Sequence, residues 1–410
     1  MGLTNPTIIS RASAVGGPGA GNADRFVKET ADTILMYGPD ANPVTVISRQ
    51  ANKESVGNQE YTIMNDKHLP RLTRVNNSGG YNTTDTSIIV DNGNFAAAQM
   101  IAEITRTREP ILVTAVSSNT WTVERGYDTI SNGTGVAILD NDEIRILGFA
   151  GAERSGMPTS IQTTPGSVLN YAQLQLRDVN VSTIRQNTKE YGPKEHARQT
   201  KNTMYEFKAD IESSFLFGKP LKDVEGSSPL DGSVADTRYK TGGIFYWIDN
   251  YASQNILDAN GIITQSALWD FLAPLFKYRP EDTTGQGKEL VALCGQKSFH
   301  AFHSWAVARI ETTPDTKKYG LQLQTYQAPV GKISLVQHYM LDGDEFSDYM
   351  VVIDPKDLSY KYLQGMDLTI KNNIETPGVL ERKDMMYGVC GLGIGRPELH
   401  GYIKNMAAAA

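Results

Sequence analysis

The longest run of consistent periodicity lies between Gly192 and Gly218. Ala197, Met204, Phe207, Ile211 and Phe215 recur at spacings of three, four or seven, which draws one apolar stripe along about seven turns of helix. Gly192 and Pro193 suit the N-cap and first helical residue, and Gly218 stands where a left-handed C-terminal cap is expected, so the pattern predicts a helix over 193–217. Glu195, Arg198, Asn202, Glu206, Lys208, Asp210 and Glu212 fall mostly off the stripe, with Lys208 and Glu212 spaced for an i,i+4 ion pair. One face should cover a sheet and the other should stay wet.

Either side of this helix the period drops to two. Gln59 to Val75 and Leu169 to Ile184 read as extended arms of a long two-stranded ribbon. In the second arm Tyr171, Leu174 and Leu176 shift phase to Val179 and Val181, as a bulge would produce. An isolated hairpin of that length is marginal in water, which predicts that it lies on a partner. Between the arms, residues 83–158 carry short strands bounded by turn residues: Ser87 to Val90, then the hairpin signal Asp91-Asn92-Gly93, then Ile111 to Val116, Trp121 to Glu124, Val136 to Leu139 and Glu143 to Phe149. This is an all-β insert, in which Trp121 and Tyr127 read as packing, with carbohydrate or partner binding as the rival reading.

Beyond the helix, Thr264 or Ser266 caps a helix carrying Leu268, Phe271, Leu272 and Leu275, in which Pro274 predicts a kink or early stop. Glu289 to Cys294 reads as a buried strand and Ser298 to Arg309 as a helix. The strands Lys332 to Val336, Tyr349 to Ile353, Leu358 to Leu363, Leu368 to Ile370 and Met386 to Gly395 are expected to return to the long helix. Upstream, residues 1–57 read as an arm: a glycine-rich stretch from Gly16 to Gly21, a short amphipathic helix with Val27, Ala31, Ile34 and Leu35 ended by Gly38-Pro39, and a strand at Val44 to Ile47. Apolar anchors with so little local core predict that another chain receives this arm. The expected division is an arm (1–57), extended loop arms (58–82 and 159–191), the insert (83–158), a peripheral domain (192–244 and 331–410) and an axial domain (245–330).

Charge narrows the function classes. The 410 residues hold 39 Lys and Arg against 46 Asp and Glu, a net −7, so the whole chain has no basic signature for nucleic acid and any contact with DNA should be weak or local. Two cysteines make no disulfide framework, and neither a signal sequence nor a bilayer-length apolar run is present, which predicts a chain made in the cytoplasm with no membrane partner. Candidate chemistry fails on spacing. Cys294, His300 and His303 lack a fourth zinc ligand. His68, His196, His338 and His400 are dispersed without a nucleophile elbow. The Gly16 to Gly21 stretch lacks the Lys-Ser/Thr of a phosphate loop, and Gly388, Gly391, Gly393 and Gly395 have no following helix. Asp140 to Glu143 lacks EF-hand spacing, while Asp342, Asp344 and Glu345 read as solvated turn charges. No catalytic, cofactor-binding or metal residue is expected.

Glu195-His196-Ala197-Arg198-Gln199, Tyr205 through Glu212 and Leu216-Phe217-Gly218 together resemble the spine helix of the major capsid proteins of tailed double-stranded DNA bacteriophages. Asn170 to Gln173, Val179 to Thr183, Thr237 to Ile244, Asp354-Pro355 and Glu375 to Gly395 are similar to further landmarks of that family, in order. The resemblance implies an α+β, Hong Kong 97-like fold with an N-terminal arm, extended loop, spine helix and inserted small β domain. It implies no enzymatic activity and self-assembly into hexamers and pentamers of an icosahedral or prolate head around DNA. Implied partners are other copies of the chain, scaffold, decoration and portal proteins, and packaged double-stranded DNA through weak non-specific contact. The implied location is the virion, after assembly in the host cytoplasm. A β-rich carbohydrate-binding or glycan-cleaving protein, or another virion structural protein, is the alternative.

Overall fold

The computed structural model describes residues 42–128, 133–151, 153, 160–189, 194–223, 237–277, 289–301, 314–318, 321–328 and 331–407. The expected arm helix and glycine-rich stretch, Gly192 with Pro193, and the expected helix beyond residue 301 lie outside these. The chain forms two compact units, residues 1–63 with 169–410, and residues 64–168. Glu60–Asn65 and Gly166–Tyr171, within which both boundaries fall, pair as a two-stranded sheet.

In the first unit, Lys53–Val56, Leu358–Leu363, Glu381–Ile394 and Gln173–Ser182 are neighbours in that order, and Thr369–Lys371 also pairs with Glu381–Ile394. Glu381–Ile394 thus replaces the expected ribbon partner for most of the second arm. It runs antiparallel to Gln173–Ser182 from Gln173↔Cys390 to Ser182↔Glu381 without a register shift. The expected bulge is therefore absent. The apparent phase change has another cause: Leu174 and Leu176 are exposed, while the inward positions before Val179 are held by Gln175 and Arg177, which bond to the spine helix.

That helix spans Glu195–Phe217, with Lys194 rather than Gly192 as N-cap. Gly218 is its C-cap, but at φ −57° rather than in the left-handed region. Glycine is required there for space, because a Cβ would collide with the carbonyl oxygens of Ser214 and Thr241. Phe207, Ile211, Phe215 and Leu216 are buried, whereas Ala197 is exposed and Met204 half-buried. The stripe is covered in its C-terminal half. Val44 to Ile47 is helical, within Pro43–Ala51, and not a strand. Its β-branched residues pack as a buried helical face, and Pro43 occupies the first turn where no N–H is needed.

The other sheet of this unit has seven strands, ordered Ile256–Ile262, Gly401–Ala407, Met350–Ile353, Glu289–Cys294, Gly331–Gln337, Leu321–Ala328, Pro314–Lys318. It therefore takes strands from both sides of residue 331. Helix Gln265–Lys277 continues through Pro274 without an early stop, and its Leu268, Leu272 and Leu275 share a core with Leu290, Ala292, Val352 and Ile403.

In the second unit six strands run Leu72–Arg74, Glu143–Phe149, Met100–Ile104, Glu109–Ser117, Thr120–Glu124, Ser87–Ile89. A bridge between Val75 and Val90 joins the two outermost segments, closing the sheet into a small barrel that leaves few free edges. Its core includes Ile88, Ile104, Ile111, Trp121 and Ile144. Asp91-Asn92-Gly93 is not a hairpin: Ser87–Ile89 pairs with Thr120–Glu124, and the Gly93 carbonyl accepts a hydrogen bond from Trp121 Nε1 at 3.1 Å. Val136 to Leu139 is no strand either, since only Ile138 pairs, with Tyr81. Inside the barrel wall, Arg125 grips Glu109 in a buried two-pronged ion pair at 2.7 and 2.9 Å.

Candidate functional site

Among the described residues, those singled out for chemistry do not converge on one site. Cys294 is buried in its strand, and burial pushes its thiol up to about 12. His300 is exposed on the following helix, and His303 lies outside the described residues. Among the described residues no three His, Cys, Asp or Glu side chains form a metal-like group. His196 Nε2 lies 2.7 Å from Asp384 Oδ2, and His400 Nε2 lies 3.2 Å from Asp357 Oδ2. Gly391 is glycine because a Cβ would meet the Tyr61 hydroxyl and the Tyr171 carbonyl. Trp121 is fully buried and unavailable to a sugar, while Tyr127 is exposed.

Glu212 is the main departure from the sequence pattern. It was expected on the wet face beside Lys208, but its side chain is wholly buried. Oε1 accepts the Val44 N–H at 2.7 Å and lies 2.8 Å from His338 Nε2. Oε2 accepts the Thr45 N–H at 2.8 Å and the Thr45 hydroxyl at 2.5 Å. Asn42, the N-cap of helix Pro43–Ala51, makes no side-chain cap. Glu212 supplies that cap from the spine helix, placing negative charge at the positive end of the helix dipole. His338 Nδ1 accepts the Met340 N–H at 3.2 Å, so Nε2 carries the proton that faces Glu212. One carboxylate thereby ties together the start of the described chain, the spine helix and the segment after strand Gly331–Gln337. Spacing on one helix held no signal for partners 126 to 168 residues away.

The surface carries the other candidate features. Where Thr183 N–H bonds the Leu380 carbonyl, at the end of the Gln173–Ser182 and Glu381–Ile394 ladder, Ile184 is 76 % exposed and Leu380 77 %, with Val379 beside them. Leu174 and Leu176 are exposed along the same ladder. Aliphatic side chains this open, held on a regular ladder, mark contact surfaces rather than core. Separately, in the second unit, Phe95, Met100, Ile146, Phe149 and Ile161 line a groove of about 840 Å³ with Lys67, His68 and Arg71 on its rim.

A family model described as SU10 major capsid protein matches residues 15–407. No curated protein matches the chain. Among solved structures, the chain is similar to the capsid asymmetric unit of cyanophage A-1(L), with 8% identity and a TM-score of 0.51, over 94% of this chain and 98% of that one. That likeness is one of fold. The structure of Gordonia phage Cozz gives 10% identity and a TM-score of 0.46 over 100% of this chain and 99% of that one. The capsid of the native GTA particle gives 9% and 0.47 over 96% and 100%.

Proposed function

Because the chain belongs to the SU10 major capsid protein family, we propose that its copies assemble into hexamers and pentamers that close a head around packaged DNA. It is a major capsid protein of a tailed bacteriophage with the Hong Kong 97-like α+β fold. Its role is structural, and its place is the virion shell. The observation that carries the assembly reading is the open aliphatic surface of the Gln173–Ser182 and Glu381–Ile394 ladder. Ile184, Leu380, Leu174 and Leu176 have no use for water, and a shell supplies identical neighbours to cover them.

The finer partners follow from the same reading: scaffold, decoration and portal proteins, and DNA held only by weak non-specific contact, with assembly in the host cytoplasm. The division into arm 1–57, loop arms 58–82 and 159–191, insert 83–158, peripheral domain 192–244 and 331–410 and axial domain 245–330 belongs to it as well. The sheet memberships support moving strands Gly331–Gln337, Met350–Ile353 and Gly401–Ala407 to the axial side. Electron microscopy of the purified, overexpressed chain tests the proposal. Closed shells or capsomers are expected; monomers at every concentration would overturn self-assembly, and tubes or rings would point to a different virion component.

A further inference from the structure

The spine helix separates its charges. Lys194, Lys201 and Lys208 recur every seven residues, which keeps them on one face, drifting about 20° per repeat and spaced about 10.5 Å along the axis. Ala197, Arg198, Met204 and Tyr205 fill the rest of that face, so no carboxylate lies on it over about 21 Å. The acids of the same stretch are engaged elsewhere: Glu206 and Asp210 with Arg177, and Glu195 with Arg198 and Arg185. Glu212, four residues beyond Lys208, is withdrawn into the buried clamp. Among the described residues none of the three lysines has an acidic partner within 4.0 Å. The Lys201 and Lys208 ammonium groups instead flank the Tyr205 ring, 5.7 and 5.8 Å from its centroid.

We propose that this stripe is a contact for the phosphate backbone of double-stranded DNA, a local cationic track on a chain of net charge −7. The proposal rests on the capsid reading only for the source of the DNA. The chemistry favours a polyanion over a protein partner. Lysine is depleted from the cores of protein interfaces, and the stripe's apolar residues are only the small Ala197 and the half-buried Met204, whereas phosphate contact needs only unneutralised cations and reads no sequence.

The test uses unassembled full-length subunits and a labelled 20-bp duplex, followed by fluorescence anisotropy between 50 and 200 mM NaCl. Three phosphate contacts predict that the combined variant Lys194→Gln, Lys201→Gln, Lys208→Gln flattens the slope of log affinity against log salt by about 2.7. A charge-matched control, Lys240→Gln, Lys332→Gln, Lys371→Gln, should leave most of that slope in place. An unchanged slope in the stripe variant, or an equal loss in the control, overturns the proposal. So does a stripe variant that binds DNA normally but fails to form shells, which would make the stripe a subunit contact. Wild-type shells seen by electron microscopy report on the capsid reading independently, so a failed stripe leaves that reading standing.

Discussion

Two buried carboxylates show how single residues hold this subunit together. Removing Glu212 would leave two helix N–H groups, a hydroxyl and an imidazole N–H facing a dry void. Glu212→Ala should therefore cost at least about 3 kcal/mol, since each buried donor left unpaired costs about 1–3 kcal/mol. Glu212→Gln should recover little, because its amide N–H₂ would meet donors. Urea denaturation of unassembled subunits measures both, and an unchanged midpoint for the alanine variant would remove the clamp from the account. Asp357 behaves differently. Burial pushes its carboxyl up, but hydrogen bonds from His400 and Arg396 outweigh that and hold it at about 2, against 3.8 ordinarily. A folded value below the unfolded one stabilises the protein above about pH 4 and is lost as pH falls from 4 towards 2, amounting to roughly 2 kcal/mol. Denaturation at successive pH values should show this slope in the wild type and a shallower one in Asp357→Asn.

Among elements, the spine helix carries the sharpest contrast. Ile211 is wholly buried, and Ile211→Asp would put an unpaired charge there, costing on the order of 3–5 kcal/mol. Glu206 is 58 % exposed, and its 2.8 Å bond to Arg177 is one of several that Arg177 makes, since Asp210 holds the same guanidinium at 2.7 and 3.0 Å. Glu206→Ala should thus change stability by no more than about 0.5–1 kcal/mol. Thermal melts of the two variants decide the matter. A wild-type melt for Ile211→Asp together with unfolding of Glu206→Ala would mean that the helix is buried by its other side. The Arg177 bonds also explain why polar residues point inward on strand Gln173–Ser182: the helix meets that strand through charge and amide groups as much as through its apolar stripe.

At the scale of the whole molecule, the inserted unit has its own closed wall and its own core. Residues 64–168 expressed alone should give a β-type circular dichroism spectrum and one cooperative melt, since the barrel core gathers Trp121 with Ile88, Ile104, Ile111, Ile138 and Ile144 from its own strands and loops. A disordered spectrum would show that it needs the rest of the chain to fold. The wall also contains the buried Glu109–Arg125 pair, so Arg125→Met in the isolated unit should lower that melt sharply by stranding the Glu109 carboxylate.

Local pattern was sufficient wherever a residue's fate depends on neighbours a few positions away. The long helix, most of the closing strands and the all-β character of the insert were readable from period and punctuation, because hydrophobic alternation and turn chemistry act over short stretches. The family was readable too, from the order of several soft motifs. What the tertiary structure alone decided was pairing. Glu212 changed from a wet-face residue to a buried cap because an uncapped helix and a neutral histidine, both far away in sequence, converge on it. Val44 to Ile47 became helical for the same reason, its β-branched residues held in a first turn that Glu212 completes. The second arm took Glu381–Ile394 as its partner because that strand offers an unbroken ladder from Gln173 to Ser182. A sequence states what each segment can bury; which distant donor, acceptor or strand meets it is settled only when the chain closes on itself.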